Sequence, residues 1–220
     1  MQKQSNEGGL VQALTETVQS AGAVETAMEY VELGIDAMLE DGVIKDIPFI
    51  GTLVSIAKVG VTVRDRIFVQ KLLKFLSSLN DVPAEARRDM VRKLEADVAY
   101  GRRVGEHLIE VIDRIDSQRK PHMVAKVFSA YVEGKIDATT LHYLNHSIER
   151  IPFFLIGEVR FIIEVLQSKG KRPALFSPMA VLELERAGMV VNEGHWGGAG
   201  FTPTEIGEKF LHLNLDRTGL

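Results

Sequence analysis

Two histidines are the first residues in this chain whose spacing could serve metal chemistry. His142 and His146 are four residues apart, so a helix would place both imidazoles on one face. Such a pair can bind Zn²⁺, but it needs a third ligand, and the zinc-protease motif has a glutamate directly after the first histidine. Here the intervening residues are Tyr-Leu-Asn, so that motif is absent. We interpret the histidines as surface or half-buried side chains, and a metal site stays open only if a remote carboxylate completes it.

Other patterns that would indicate catalysis are absent from the sequence. Residues 197–200 are glycine-rich, but no lysine follows them, which favours a loop tip over a phosphate cradle. There is no serine elbow or dinucleotide fingerprint, and without cysteine there is no thiol nucleophile. Asp113 and Asp116 stand at helical spacing beside Arg114 and Arg119, so ion pairing on a solvated helix accounts for them. We expect a non-enzymatic protein with no catalytic residue, metal or cofactor.

The charges give a further constraint on partners. The 220 residues carry a net charge of −4, so no global field attracts nucleic acid. Residues 1–46 hold two basic and nine acidic side chains, a net of −7, whereas residues 64–103 hold ten basic and six acidic ones, a net of +4. These segments are solvated helix faces, an acidic arm for a partner, or a basic patch facing a membrane or another chain. The N-terminal residues lack an apolar run behind a basic start, so we expect no signal peptide and a cytoplasmic location, with peripheral attachment at the inner membrane as the alternative.

The elements that must position these residues are mostly helices. Apolar side chains recur at helical spacing along most of the chain, and strand-like alternation is almost absent before residue 189. We therefore predict a mainly α protein. Its expected parts are a flexible N-terminus at 1–9, an α-helical bundle at 10–168, a small module of helices and a β-hairpin at 170–214, and a tail at 215–220.

Residues 47–63 form the most apolar segment. A helix that is apolar on all sides is buried in protein or in lipid. The run has 17 residues, fewer than the roughly 20 that usually span a bilayer, and a lysine within it would cost a few kcal/mol in lipid. Three interpretations stay open: the central helix of a bundle, an oligomer interface, or conditional insertion into a membrane. The candidate residues for this apolar helix are Ile47, Phe49, Ile50, Leu53, Val54, Ile56 and Lys58.

Residues 122–150 resemble the helix–turn–helix of TerB-like tellurite-resistance domains, chiefly through Tyr-Val-Glu-Gly-Lys-Ile-Asp-Ala-Thr-Thr-Leu at 131–141. That family carries several acidic residues around the turn. Here Glu133 and Asp137 match the pattern, and Lys135 stands between them. Calcium needs six to eight oxygen ligands. The resemblance therefore implies the shape of the hairpin and no metal.

The signals after residue 176 predict a helix, a short hairpin and a second helix. They are Ser177 and Pro178 at a helix start, Ala187 and Gly188 at its end, a strand at 189–191, a glycine-rich tip at 192–200, a return strand from Phe201, and a capping box at 202–205. This order resembles bacterial winged-helix domains. The resemblance implies a compact helical unit with a β-hairpin wing.

The charges of this module do not suit the usual winged-helix ligand. A recognition helix reads DNA with Arg, Lys, Asn or Gln and needs phosphate contacts around it. The corresponding helix offers Glu183, Glu185 and Arg186, the tip has no Arg or Lys, and residues 171–220 net −1. We therefore predict protein contact or dimerisation. The candidate contact residues are Met179, Glu183, Arg186, His195 and Trp196, where Trp196 is either an exposed anchor or packed against the bundle.

The whole pattern, including Leu-Glu-Asp-Gly-x-Ile-Lys-Asp-Ile-Pro-Phe-Ile-Gly-Thr at 39–52, resembles bacterial helical proteins of unassigned activity. Our leading hypothesis is a non-enzymatic bacterial interaction protein that binds a protein partner or a second copy of itself. By analogy alone, a stress-response or phage-defence setting fits this kind of protein. In another version of this hypothesis, the protein inserts helix 47–63 into a membrane. The alternative from another class is a winged-helix DNA-binding transcription regulator.

Overall fold

The computed structural model describes residues 2–41, 46–56, 62–168, 177–194 and 200–218. In these ranges the protein is mainly helical, with eleven α-helices and one two-stranded antiparallel sheet. The predicted fold class, mainly α with a small β-hairpin near the C-terminus, is confirmed at this level. The chain divides into two compact units, one of residues 1–114 with 132–135, and one of residues 115–131 with 136–220.

Among its described residues, the first unit contains six α-helices. They are α1 (Gln2–Gln19), α2 (Ala21–Asp41), α3 (Pro48–Ile56), α4 (Val63–Ser78), α5 (Ala84–Ala96) and α6 (Val98–Arg114). Helix α1 extends to Gln2, so residues 2–9 are helical, and the mobility expected for residues 1–9 stays a prediction. Ser20 separates α1 from α2, because its hydroxyl accepts a hydrogen bond from the Ala23 amide at 3.1 Å.

Helix α3 carries the described part of the apolar segment into the core of this unit. Ile47, Phe49 and Ile50 are completely buried. The Phe49 amide donates to the Thr17 hydroxyl on α1 at 3.0 Å, and the Phe49 ring lies 6.1 Å from the ring of Phe68 on α4. These contacts agree with the bundle interpretation of the segment. Val54 is half-buried, the side chains of Leu53 and Ile56 are not described, and Lys58 lies outside the described residues.

The expected helix over 47–63 is wrong at its C-terminal end. Thr62 has extended backbone angles, with φ −73° and ψ 165°, and begins α4 instead. Its hydroxyl accepts from the Asp65 amide, and the Asp65 carboxylate accepts from the Thr62 amide at 2.9 Å. This capping box satisfies two backbone donors and starts a new helix, so a single helix cannot run through Thr62. Within the described ranges, no helix combines the length and the apolarity needed to cross a bilayer.

Where the structure describes it, the second unit contains five α-helices and the hairpin. They are α7 (Lys120–Val132), α8 (Ala138–Arg150), α9 (Val159–Gln167), α10 (Pro178–Arg186), β1 (Val190–Asn192), β2 (Phe201–Pro203) and α11 (Glu205–His212). A 3-10 helix, Phe153–Glu158, leads into α9. The expected boundary between bundle and module, near residue 169, falls outside the described residues and stays a prediction.

Local signals set the geometry from α10 to β1. Ser177 caps α10 by accepting from the Met179 amide, as its position before Pro178 predicts. At the other end, Gly188 has φ +72°, which a residue with a side chain rarely adopts. The Met189 amide then donates to the Leu184 carbonyl at 2.9 Å, closing a Schellman turn. The chain leaves this turn directly into β1, where Val191 pairs with Thr202 of β2.

The last helix begins two residues later than the expected capping box. Thr204, not Thr202, is the N-cap: its hydroxyl accepts from the Gly207 amide at 3.1 Å and donates to the Gly188 carbonyl at 2.6 Å. Thr202 is held in the hairpin by its pairing with Val191. A methyl group on Gly207 would overlap the Met189 carbonyl oxygen, so this glycine allows α11 to pack directly on the residue before β1.

The C-terminal residues are fixed to α9 by a buried carboxylate. Asp216 is 5% exposed and receives Nε and Nη2 of Arg160, each at 2.8 Å. The hydrogen bonds with Asp216 raise the pKa of Arg160. The same guanidinium donates to the Leu211 carbonyl at 3.3 Å and to the Asn214 side chain at 3.2 Å. Arg160 therefore holds the end of α11 and the segment after it in one arrangement.

Candidate functional site

Helix α10 presents an outward side, here called the α10 face, which is defined by the apolar residues Met179 and Leu182 and the charged residues Glu183 and Arg186. The opposite side of the helix is buried through Ala180, Val181 and Leu184. Met179 and Leu182, one turn apart, are 57% and 37% exposed. A folded protein commonly exposes single apolar side chains, whereas these two lie on the same side of one helix.

The charges on the α10 face neutralise each other. The Arg186 guanidinium donates to the Glu183 carboxylate at 2.6 Å, three residues away on the same helix. Arg186 is exposed and Glu183 is half-buried. The cation on this face is therefore already paired with a carboxylate, and the two exposed groups beside it are apolar.

Three of the five predicted contact residues lie together on this face: Met179, Glu183 and Arg186. The other two, His195 and Trp196, lie outside the described residues, so their part in the face stays a prediction. Sequence reasoning missed Leu182, although its spacing of three from Met179 was a usable signal. It also missed Val191, which is exposed on β1 next to the buried Val190.

The α10 face stands on a well-packed support. The Ser147 hydroxyl on α8 donates to the Ala187 carbonyl at the end of α10, at 2.7 Å and in a buried position. Helix α10 also packs on β1, and the first turn of α11 packs on the residue before β1. Side chains on rigidly supported helices lose little entropy when they bind, which favours recognition.

The two aspartates considered above for catalysis, Asp113 and Asp116, form ion pairs. Asp113 pairs with Arg64 at 2.6 Å, and Arg114 pairs with Glu110 at 3.0 Å. Asp116 pairs at 2.5 Å with Lys120, whose buried ammonium also donates to the Ile151 carbonyl at 2.7 Å. Burial lowers the pKa of Lys120, and the bond to Asp116 opposes this. Lys120 therefore acts as a cap on the C-terminal end of α8.

The turn between α7 and α8 uses both of its acidic residues structurally. Glu133 forms an ion pair with Lys135 at 2.6 Å. Asp137 caps α8 by accepting from the Thr140 amide at 2.8 Å, and this bond lowers the pKa of Asp137. On α8, His142 is half-buried and His146 is exposed. Among the described residues, no three His, Asp or Glu side chains converge as metal ligands would.

Comparisons with protein-family models, with curated proteins and with solved structures give no match to this chain.

Proposed function

We propose that this protein is a non-enzymatic interaction protein that pairs with a second copy of itself through the α10 face. Its C-terminal unit then acts as a winged-helix-like dimerisation module. The observation that carries the proposal is the outward exposure of Met179 and Leu182 on one turn of a rigidly supported helix.

The charges of the α10 face favour protein over phosphate as the ligand. DNA-reading helices present Arg, Lys, Asn or Gln to base edges and phosphates. Here the exposed cation, Arg186, is paired with Glu183. Binding a phosphate would require breaking this ion pair and would place the Glu183 carboxylate near a second negative charge. Contact with an apolar protein surface requires neither breaking the ion pair nor bringing two negative charges together.

The same charges favour a second copy over an arbitrary partner. A two-fold interface brings one surface against itself, so the surface must complement itself. The α10 face does so, because it carries one carboxylate, one guanidinium and apolar groups. When two such faces meet, Arg186 of each copy can exchange its ion pair for one with Glu183 of the other. The apolar side chains are then removed from water.

Sedimentation equilibrium tests this proposal. We expect the wild-type chain to form a concentration-dependent dimer. Replacing both Met179→Lys and Leu182→Lys should weaken the dimer by at least about tenfold. Full burial of such a side chain contributes roughly 1.5–3 kcal/mol, and these two are 57% and 37% exposed, so only part of that is gained on association. The matched control is the double replacement Met28→Lys and Leu33→Lys on α2, which also changes two exposed apolar residues on one helix.

The control should leave the dissociation constant within about twofold of the wild-type value. A wild-type chain that stays monomeric at every concentration contradicts the proposal. Equal weakening by the α10 and α2 replacements also contradicts it, because the association would then not depend on α10.

A further inference from the structure

A cleft of about 490 Å³ lies in the first unit, lined by residues of α1, α5 and α6. This volume is within the roughly 300–1,000 Å³ of small-molecule sites. Val11 and Leu94 contribute apolar side chains to its wall, and both are buried. Gly101 of α6 packs against the backbone of α5, because a methyl group there would lie 2.5 Å from the Leu94 carbonyl oxygen. This contact holds α5 and α6 together beside the cleft, whose wall is apolar at Val11 and Leu94.

The polar groups of the cleft leave an excess of negative charge. Glu16 on α1 and Glu95 on α5 both line it. Glu16 accepts one hydrogen bond, from the Gln12 amide at 3.1 Å. The one cation among the lining residues, Arg102, has its Nε bound to Glu106 at 2.7 Å. Within the part of the chain that the structure describes, no ion pair neutralises Glu16 or Glu95.

We propose that this cleft binds an organic amine, with the ammonium group at Glu16 and Glu95 and the hydrocarbon body against Val11 and Leu94. Carboxylates are the acceptors that an ammonium group prefers, and charge-assisted hydrogen bonds are about twice as strong as neutral ones. Two carboxylates and one guanidinium line the cleft, so its own charges favour a cation. The apolar wall selects an amine with a hydrocarbon part over a bare metal cation. This site is independent of the α10 face.

Isothermal titration calorimetry of the full-length chain at constant ionic strength tests the proposal with two probes. Phenethylamine represents amines with a compact apolar body, and spermidine represents extended polyamines. We expect saturable binding of at least one probe at one site, and the tighter probe identifies the subclass. Glu16→Gln and Glu95→Gln should each weaken that binding about tenfold, because each removes one charged acceptor.

The matched control is Glu29→Gln, which neutralises an exposed carboxylate on α2 outside the cleft. It should change the dissociation constant by less than about twofold. All three replacements retain the side-chain shape, and unchanged circular dichroism spectra verify that each variant is folded. If neither amine binds saturably, or if Glu29→Gln weakens binding as much as the cleft variants do, the proposal is wrong. The second result would show attraction to the acidic surface as a whole.

Discussion

Replacing Arg160 with methionine is expected to lower the free energy of unfolding by about 3 kcal/mol. Asp216 is 5% exposed, and both of its oxygens receive hydrogen bonds from Arg160. Removing the guanidinium leaves a buried carboxylate without its main partner, which typically lowers the free energy of unfolding by roughly 3–5 kcal/mol. We expect the lower end of this range because the Arg160 side chain is 26% exposed and water can reach the vacated position. Urea unfolding followed by circular dichroism measures the change.

Arg217→Met is the matched control for Arg160→Met. Arg217 approaches the same carboxylate at 3.8 Å, but it is exposed, so its loss should cost no more than about 0.5 kcal/mol. The double replacement Arg160→Met and Asp216→Leu should recover much of the lost stability, since it removes the buried charge together with its partner. Equal effects of Arg160→Met and Arg217→Met would contradict this role for Arg160.

Replacing Phe49 with alanine is expected to lower the free energy of unfolding by roughly 3–5 kcal/mol. The Phe49 ring is completely buried in the first unit and faces the ring of Phe68. Truncation removes the transfer free energy of the ring and leaves a cavity that the surrounding helices fill only in part. The measurement is again urea unfolding.

Phe154→Ala is the control, because Phe154 is 77% exposed and its removal should change stability by less than about 0.5 kcal/mol. Phe49 and Arg160 belong to different units, so if the units unfold in separate transitions, each replacement should shift one of them. If the Phe49→Ala variant is as stable as the wild type, the apolar segment is not buried in the helical core as described.

The features of the fold that the sequence predicted are set by residues that lie next to each other in the chain. Ser177 before Pro178 and Gly188 after Ala187 set the ends of α10, and both signals require only a few residues. Errors arose where two local signals competed. Thr62 can continue an apolar helix or cap a new one, and its capping box with Asp65 decided in favour of the cap.

Contacts between distant residues were not predictable from this sequence alone. Arg160 and Asp216 are 56 positions apart, and nothing in either sequence neighbourhood indicates the other. The cleft likewise combines the second half of α1 with the end of α5 and the start of α6. The α10 face was predictable in part, because Met179, Glu183 and Arg186 lie on one helix whose spacing alone places them together.

Disulfide cross-linking at position 182 tests self-association through α10 most directly. The natural chain has no cysteine, so Leu182→Cys introduces the sole thiol. Leu33→Cys, at an exposed position of α2, is the control for random collision. We expect mild oxidation to convert Leu182→Cys to a covalent dimer on a non-reducing gel while Leu33→Cys stays monomeric. A monomeric Leu182→Cys chain, or equal cross-linking of both variants, would contradict the proposal that two copies meet at this helix.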